Sequence, residues 1–499
     1  MIIGIDIGGT NTDLVLVDED KKIIRAVKEP TTASIEEGVT AGILKLLPDD
    51  GCNITSVRIG TTHATNAIVQ EKGLLRVGVL RIAGQNPDIA PGATWPVELR
   101  KKVIVGCETI AGGYECTGVP ITPFCPQHAL SAIAKLKDMG AQALSIIGVF
   151  APMKADQERM VQEICQDLFY DLPLSISSDI GGLSFLEREN ATILNSALKQ
   201  VIRTGFQKLE TALKRLGISA PLSMIHNDGS IMDMREALEF PIFTVACGQT
   251  NSFRGAATLA SMQKGAVIDI GGTSSDIGLV IDGFAKRSTK AVCLGGVKLQ
   301  LPMPDTLSLA LGGGSIVKEG KVGPESVARL LRTKASCFGG DTVTLTDVAL
   351  RLGIMEIEEA RTHGIPLTAE DAQGIMQQVD AALQRAFSRI AAKHPDIPII
   401  AVGGGAPLLF GTKIDCHIPA HFDVANAYGA ALAEVSARAD AVVSLSDKEK
   451  IFAEMKTAAI QQAIERGAKK ESVRIVHMEV IPYGYSQDAL ARVIVTASG

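Results

Sequence analysis

The chain has 499 residues, of which 46% are hydrophobic and 21% charged, a composition typical of globular proteins with an extensive core, and its length predicts roughly three domains. The net charge of −6 and an aromatic content of 4% argue against nucleic acid or an anionic membrane as a partner. No apolar run approaches the ~20 residues needed to cross a bilayer, and no basic leader precedes the first strand, so we expect a cytoplasmic protein.

A glycine turn between two predicted strands opens the chain. The first strand, Ile2–Ile7, carries Asp6 near its end, and the residues that follow are Gly8, Gly9, Thr10, Asn11, Thr12 and Asp13. A glycine pair permits positive φ and removes Cβ atoms, so we expect backbone N–H groups and threonine hydroxyls to meet phosphate oxygens here. A buried carboxylate such as Asp6 needs a cation, and nucleotide-bound Mg²⁺ is a natural one.

A strand-to-helix junction and an insertion come next. Residues 60–67 are mostly small and include three threonine hydroxyls, which suits helix capping or the close approach of a ligand. His63 within this string either orients a substrate or is a structural residue at the start of a helix. Residues 77–126 are rich in turns and indicate an insertion, which we place at about 77–180. Periodic apolar positions then predict a long helix over 188–216.

The middle of the chain repeats the opening motif. Asp269 follows Asp6 by 263 residues, and Asp276 follows Asp13 by the same interval. Between the two later aspartates lie Ile270, Gly271, Gly272, Thr273, Ser274 and Ser275. One such turn alone is as consistent with an ordinary hairpin. Two copies that align without a gap predict a two-lobed nucleotide-binding fold, in which facing loops hold one polyphosphate.

The elements after the second loop complete the predicted second lobe. We expect a third strand at 292–301, a helix at 425–438, and a final helix followed by strands after residue 442. Between that third strand and the helix, a buried strand ends in a glycine string where the base or ribose of a nucleotide would lie against backbone: Gly403, Gly404 and Gly405. The predicted domains are 1–255, 256–440 and 441–499.

The cysteines point to reduced, buried thiols, because nine of them are dispersed without a Cys-x-x-Cys pair. Two sets remain as zinc candidates: Cys107, Cys116, Cys125 and His128, and Cys416, His417, His421 and Asp423. The first lacks the close ligand pairs usual in structural zinc sites. In the second, Pro419 interrupts a helical face.

The two glycine loops and the string at 60–67 together resemble the hydantoinase A/oxoprolinase family of the actin-like ATPase superfamily. Strings at 227–232, 312–315 and 403–407 are similar to that family as well, so the resemblance covers nearly the whole chain. It implies an α/β fold of two RNase H-like lobes around a nucleotide cleft, with an insertion and a small C-terminal α/β extension.

The resemblance also implies ATP-dependent hydrolysis of a cyclic amide of the hydantoin or 5-oxoproline type, in which ATP phosphorylates the ring carbonyl. Asp6 and Asp269 would hold Mg²⁺ or its waters, and the hydroxyls of Thr10, Thr12, Thr273 and Ser274 would hold phosphate. Asp13 and Asp276 would be outer metal ligands or strand-end caps. A partner subunit of the hydantoinase B type would complete hydrolysis, and the oligomeric state stays open.

Two other classes remain open from the sequence. The first loop is also similar to the opening of bacterial sugar kinases, although their Glu-x-Gly-His string and cysteine-rich zinc loop are missing. The other class is an ATP-driven switch without catalytic activity, whose iron–sulfur form needs paired cysteines. The chain departs from the resembled family at one place, where Cys247-Gly248-Gln249-Thr250 replaces a Ser-Gly-Pro-Ala string near the expected substrate.

Overall fold

The computed structural model describes residues 1–31, 35–48, 53–84, 89–288, 290–392, 394–482 and 490–499. Elements up to residue 69 are β1 (Ile2–Ile7), β2 (Asn11–Val17), β3 (Ile23–Pro30), α1 (Ile35–Leu46), β4 (Ser56–Thr61) and α2 (His63–Val69). From residue 77 to residue 180 they are β5 (Val77–Ile82), α3 (Val97–Val103), β6 (Ile104–Ile110), α4 (Pro126–Asp138), β7 (Ala143–Gly148), α5 (Asp156–Leu168), β8 (Leu174–Ile176) and α6 (Ser177–Ile180). Then come α7 (Phe185–Arg215), β9 (Leu222–Ile225), β10 (Ile231–Met232), α8 (Met234–Glu239) and α9 (Cys247–Leu259).

The second half begins with the repeated motif. Its elements are β11 (Gly265–Ile270), β12 (Ser275–Ile281), β13 (Phe284–Ala285), β14 (Val292–Leu294), β15 (Val297–Leu299), β16 (Thr306–Leu309), β17 (Ser315–Lys318), β18 (Lys321–Ser326), α10 (Leu331–Lys334), α11 (Leu345–Arg351), α12 (Ala369–Ala391), β19 (Ile399–Val402) and α13 (Ala425–Ala431). The chain closes with β20 (Ser436–Ser444), α14 (Lys448–Glu465), β21 (Arg474–Pro482) and β22 (Leu490–Ser498).

Two sheets share one arrangement of strands. The first has the order β10-β9-β4-β1-β2-β3, and the second has β13-β12-β11-β19 with β16 also paired to β12. In each, an antiparallel hairpin is joined on its other side by a parallel strand, which is β4 in the first sheet and β19 in the second. Asp6 lies opposite Asp13, and Asp269 lies opposite Asp276. The predicted α/β fold of two RNase H-like lobes is therefore confirmed.

Strands β1 and β2 are covered on both faces, which explains their nearly continuous apolar sequence. Ile3, Ile5 and Leu14 pack into a core that also includes residues of α1 and α7. Val15 and Val17 face the other way and pack against α13. Both faces of the hairpin are thus packed against helices, and this packing fixes the position of the turn between β1 and β2.

Helices α9 and α13 tie the lobes together. α9 precedes the second sheet in the chain and packs against β11, β12 and β19, whereas α13 follows that sheet and packs back onto β1, β2 and β4. The helices cross at glycines. A Cβ on Gly429 would lie 1.8 Å from the carbonyl oxygen of Asn251, and one on Gly255 would lie 2.0 Å from that of Ala425. No larger residue fits at either position without separating the helices.

Residues 77–180 build a parallel sheet in the order β6-β5-β7-β8, which α4, α5 and α7 cover. The expectation of a turn-rich segment over 77–126 was wrong for β5, a fully buried strand. Because a strand buried on both faces has no alternating pattern, its sequence resembled neither a typical strand nor a helix. The domain boundaries stay a prediction.

Two other predicted elements were wrong. The helix expected at 425–438 ends at Ala431, and β20 begins at Ser436 and pairs with β22. Alanine-rich sequence favours helix locally, but pairing within the C-terminal sheet decides the structure. The strand expected at 292–301 is a hairpin of β14 and β15 that turns at Gly295 and Gly296, both at positive φ. In the described ranges, no helix has the length and apolar character that a bilayer crossing requires.

Replacing Gly429 with alanine should destabilise the protein by more than about 2 kcal/mol, because the new Cβ overlaps backbone of α9 and forces the helices apart. Gly374, in α12, is a matched control, since a Cβ there would meet nothing within 4 Å. We expect Gly374→Ala to stabilise by up to about 1 kcal/mol through helix propensity. Chemical denaturation of both variants measures the contrast, and equal stabilities would contradict a constrained crossing.

Candidate functional site

The two glycine turns have the same backbone hydrogen bond and face each other. The N–H of Gly8 donates to the carbonyl of Asn11 at 3.0 Å, and that of Gly271 donates to Ser274 at 2.9 Å. A Cβ on Gly272 would lie 2.8 Å from Oγ1 of Thr10, so the loops meet across the cleft. The turns do not use the positive φ that a glycine pair permits, since Gly8, Gly9, Gly271 and Gly272 all keep negative or extended φ. Close approach, rather than φ, explains the need for glycine at position 272.

A glycine from the neighbouring parallel strand flanks each buried aspartate. A Cβ on Gly60 would lie 3.0 Å from Oδ1 of Asp6. In the second lobe, Gly403 has φ 86°, and a Cβ there would lie 2.2 Å from Oδ1 of Asp269. The N–H of Gly405 donates to the carbonyl of Ile270 at 2.8 Å. The glycine string at 403–405 therefore lies next to the second glycine turn.

The glycine string after β16 braces the second turn from behind. The N–H of Gly313 donates to the carbonyl of Gly271 at 3.0 Å, and that of Gly314 donates to Gly272 at 2.7 Å. A Cβ on Gly312 would lie 2.7 Å from the same Gly271 oxygen. These bonds engage the carbonyls of Gly271 and Gly272 and fix the position of the turn.

Two buried carboxylates, Asp6 and Asp13, and two partly buried ones, Asp269 and Asp276, share one electrostatic environment. Burial raises the pKa of Asp6 to about 7, and the neighbouring charges of Asp13 and Asp269 add to the rise. Burial likewise raises the pKa of Asp269 to about 6, with contributions from Asp276 and Asp13. Lys28 lies 2.6 Å from Oδ1 of Asp13 and opposes the effect of burial on that carboxyl. The site therefore concentrates negative charge, and the described residues around it supply fewer cations than carboxylates.

The carboxylate of Asp6 fits a divalent cation. Its Oδ1 is buried and has no hydrogen-bond partner among the described residues, and its Oδ2 accepts a long bond of 3.4 Å from Asn426. In the described ranges, no three His, Cys, Asp or Glu side chains gather to form a closed metal site, so neither zinc candidate set is assembled there. An open site with one or two carboxylates suits Mg²⁺, which keeps waters and binds substrate phosphates.

The structure places the other predicted residues as follows. Thr12 is buried, with its hydroxyl 3.4 Å from that of Thr31, which in turn donates to the carbonyl of Gly8. Thr12 thus braces the first turn from inside. The ring of His63 lies near α7, where a Cβ on Gly205 would be 3.7 Å from its Cδ2. Burial and the charge of Lys208 lower the pKa of His63. Exposed or partly exposed residues complete the two turns: Gly9, Thr10, Asn11, Thr273 and Ser274.

Sequence reasoning missed the polar contribution of the crossing helices. Asn251 of α9 is fully buried without a side-chain partner among the described residues, and a Cβ on Gly60 would lie 2.5 Å from its Nδ2. The thiol of Cys247 donates to the carbonyl of Thr61 at 3.5 Å, and the hydroxyl of Ser252 lowers the pKa of Asp269. The departure at 247–250 was the available signal, because it marks the first turn of α9.

Comparison with known proteins gives matches along the chain. The model of the hydantoinase/oxoprolinase N-terminal region matches residues 2–169, and the hydantoinase/oxoprolinase model matches residues 188–397. The gamma subunit of acetophenone carboxylase from Aromatoleum aromaticum is 26% identical, over 81% of this chain and 63% of that protein. Caprolactamase subunit alpha from Pseudomonas jessenii is 23% identical, over 93% of this chain and 75% of that protein.

A solved structure agrees in fold. The crystal structure of the ATP-dependent caprolactamase from Pseudomonas jessenii superposes with a TM-score of 0.74 at 20% identity, covering 100% of this chain and 87% of that chain. The chain thus spans less than two thirds of the length of the acetophenone carboxylase subunit and more of the caprolactamase chain.

Replacing Asp6 with asparagine should stabilise the protein when nucleotide and divalent ions are absent. A pKa raised from 3.8 to about 7 lowers the free energy of unfolding of the parent by at most about 4 kcal/mol at pH 8. We therefore expect Asp6→Asn to raise that free energy by roughly 1–4 kcal/mol at this pH. The cost vanishes below pH 3.8, where the carboxyl is protonated in the folded and unfolded states alike, and it grows until the pH passes 7.

The advantage of Asp6→Asn in urea denaturation should therefore shrink between pH 8 and pH 5. Asp282→Asn is the matched control, because Asp282 is exposed and lies on a turn outside the site. An Asp6→Asn variant that is less stable than the parent at pH 8 would contradict an unbalanced buried charge.

Proposed function

The chain belongs to the hydantoinase/oxoprolinase family, and from this premise we propose that it is an ATP-dependent enzyme that opens the ring of a small cyclic amide. The observation that carries the proposal is the convergence of Asp6 and Asp269, each at a glycine turn, on one cleft between the lobes. Two anionic positions flanked by backbone donors suit a metal-bound polyphosphate better than they suit a neutral ligand.

We infer that the nucleotide spans the two turns. Its phosphates would lie at 8–10 and 271–273, where a Cβ on Gly9 would meet nothing within 4 Å and the backbone is accessible. The adenosine would lie near Gly404, which is exposed and has similarly open space. Asp6 and Asp269 would hold Mg²⁺, which neutralises phosphate charge when bound. Burial and the neighbouring carboxylates raise the pKa of Asp6 and of Asp269, and a bound cation would oppose both effects.

The proposed chemistry answers the poor electrophilicity of an amide. Transfer of the γ-phosphoryl group to the carbonyl oxygen of the amide releases ADP and makes the carbonyl carbon a better target for water. Water then adds to that carbon, and the C–N bond breaks with protonation of the nitrogen, which leaves an open-chain amine that carries an acyl phosphate. A second water converts the acyl phosphate to the acid and phosphate. The contribution of the chain is mostly positioning and electrostatic stabilisation of the phosphoryl group.

A partner subunit is part of the proposal. Both relatives described above are named as subunits, one of acetophenone carboxylase and one of caprolactamase. We propose that this chain supplies the ATP-dependent activation step, and that a subunit of the hydantoinase B type completes ring hydrolysis.

Carboxylation of a ketone is a second candidate, because of the match to acetophenone carboxylase. A ketone and a lactam both offer a carbonyl oxygen as the phosphoryl acceptor, so the same cleft would serve either. The two candidates differ in the co-substrate: ring opening consumes water, whereas carboxylation consumes bicarbonate or CO₂.

Millimolar Mg-ATP should raise the Tm of the parent protein by at least about 2 °C, since a ligand that binds the native state stabilises it by RT ln(1 + [L]/Kd). Asp269→Asn should blunt the rise, and Asp282→Asn should not. Differential scanning fluorimetry of the three proteins measures the effect. An unchanged Tm in the parent at saturating Mg-ATP would count against nucleotide binding in the cleft.

With hydantoin, 5-oxoproline or caprolactam, we expect ADP, phosphate and an open-chain acid in equal amounts, with the partner subunit added where the chain alone is inactive. Asp6→Asn should lower kcat by about 10²–10³ while the protein stays folded, because charge stabilisation at the metal is lost. Coupled ADP release and chromatography of the products measure this. Turnover of acetophenone that requires bicarbonate would favour carboxylation, and a stable phosphorylated alcohol would favour a kinase.

A further inference from the structure

A cavity of about 480 Å³ lies outside the cleft, between helices α5, α7 and α8 and the start of β8. Among the described residues, those that line it include none from the glycine strings and none of the four clustered carboxylates Asp6, Asp13, Asp269 and Asp276. Three cationic side chains and one carboxylate line it, together with apolar side chains: Lys199, Arg203, Arg235, Glu239, Leu174 and Leu238. Cavities of this volume are in the usual range for small-molecule sites.

The cavity carries excess positive charge. Lys199 is 5% exposed, and its Nζ lies 2.8 Å from Oε1 of Glu239, whose side chain is half exposed. Arg203 lies one helical turn after Lys199, where like charges repel, and burial together with that charge lowers the pKa of Lys199. Among the described residues, Arg203 and Arg235 take part in no hydrogen bond or ion pair.

Glu239 already satisfies Lys199, so the two guanidinium groups keep all their donors for a ligand. A guanidinium presents parallel N–H groups that match the two oxygens of a carboxylate. An anion placed between them would also relieve the repulsion from Lys199.

We propose that this cavity binds a small organic carboxylate. Arg203 and Arg235 hold the carboxylate groups, and Leu174 and Leu238 contact the hydrocarbon body. Pro173, beside Leu174, extends the apolar wall. The site is independent of the ATP-dependent reaction and of the nucleotide cleft.

Isothermal titration of the full chain with glutarate, at fixed ionic strength, tests the proposal. Glutaramide, the neutral diamide of the same size, and inorganic phosphate are the comparison ligands. We expect glutarate to bind and glutaramide not to bind. The double variant R203Q/R235Q should bind glutarate at least about tenfold more weakly, because both exposed guanidinium groups are lost. K214Q is the matched control, since Lys214 lies on the same helix, pairs with Glu210 and does not line the cavity.

Several results would overturn the assignment. They are no heat with glutarate in the parent, equal binding of glutaramide, and unchanged affinity in the double variant. Binding of phosphate without glutarate would overturn the choice of a carboxylate. Loss of glutarate binding in Asp269→Asn would place the anion in the cleft instead. Circular dichroism of the double variant checks that the exposed substitutions leave the fold intact.

Discussion

The crossing of α9 and α13 at glycines is the constraint on which the rest of the structure depends. Each helix packs on the sheet of the other half of the chain, so their separation sets the distance between β1 and β11. With Gly255 and Gly429 at the contact, backbone meets backbone. Asp6 and Asp269, near the ends of the two strands, are then close enough for the charge of Asp269 to raise the pKa of Asp6, which two separate lobes would not allow.

That closeness has an energetic cost, which a cation would offset. Four carboxylates are gathered in a buried region, and the described residues supply Lys28 as the close cation, at Asp13. The second copy of the motif differs, because Asp276 accepts from the hydroxyl of Ser308 where Asp13 has an ammonium group. The two loops therefore share one backbone arrangement but differ in charge, because a lysine pairs with Asp13 in the first copy and a neutral hydroxyl with Asp276 in the second. Lys28 also donates to the carbonyl of Asp423, so the same cation links β3 to the segment before α13.

The sequence predicted the parts that local pattern determines. Identical spacing in two copies predicted paired turns and paired lobes, and both are present because register in a hairpin is strict. The glycine pair permits positive φ, but the turns need glycine for another reason: the close approach of Gly272 to Thr10 is a tertiary requirement that a glycine pair does not reveal. Asn251 and Asn426 were missed for a similar reason. They lie on helices far apart in sequence, and the crossing alone brings them to Asp6.

The helices also explain why the site cannot belong to one lobe. α9 places Asn251 beside Gly60, which flanks the first aspartate, and Ser252 near the second, one residue apart on the same turn. Adjacent helical residues point in different directions, so one turn of α9 faces both lobes. Any shift of this turn changes the surroundings of both aspartates together. The string at 247–250, which departs from the family pattern, therefore lies where a substitution would change the surroundings of both aspartates without altering the sequence of the two glycine turns.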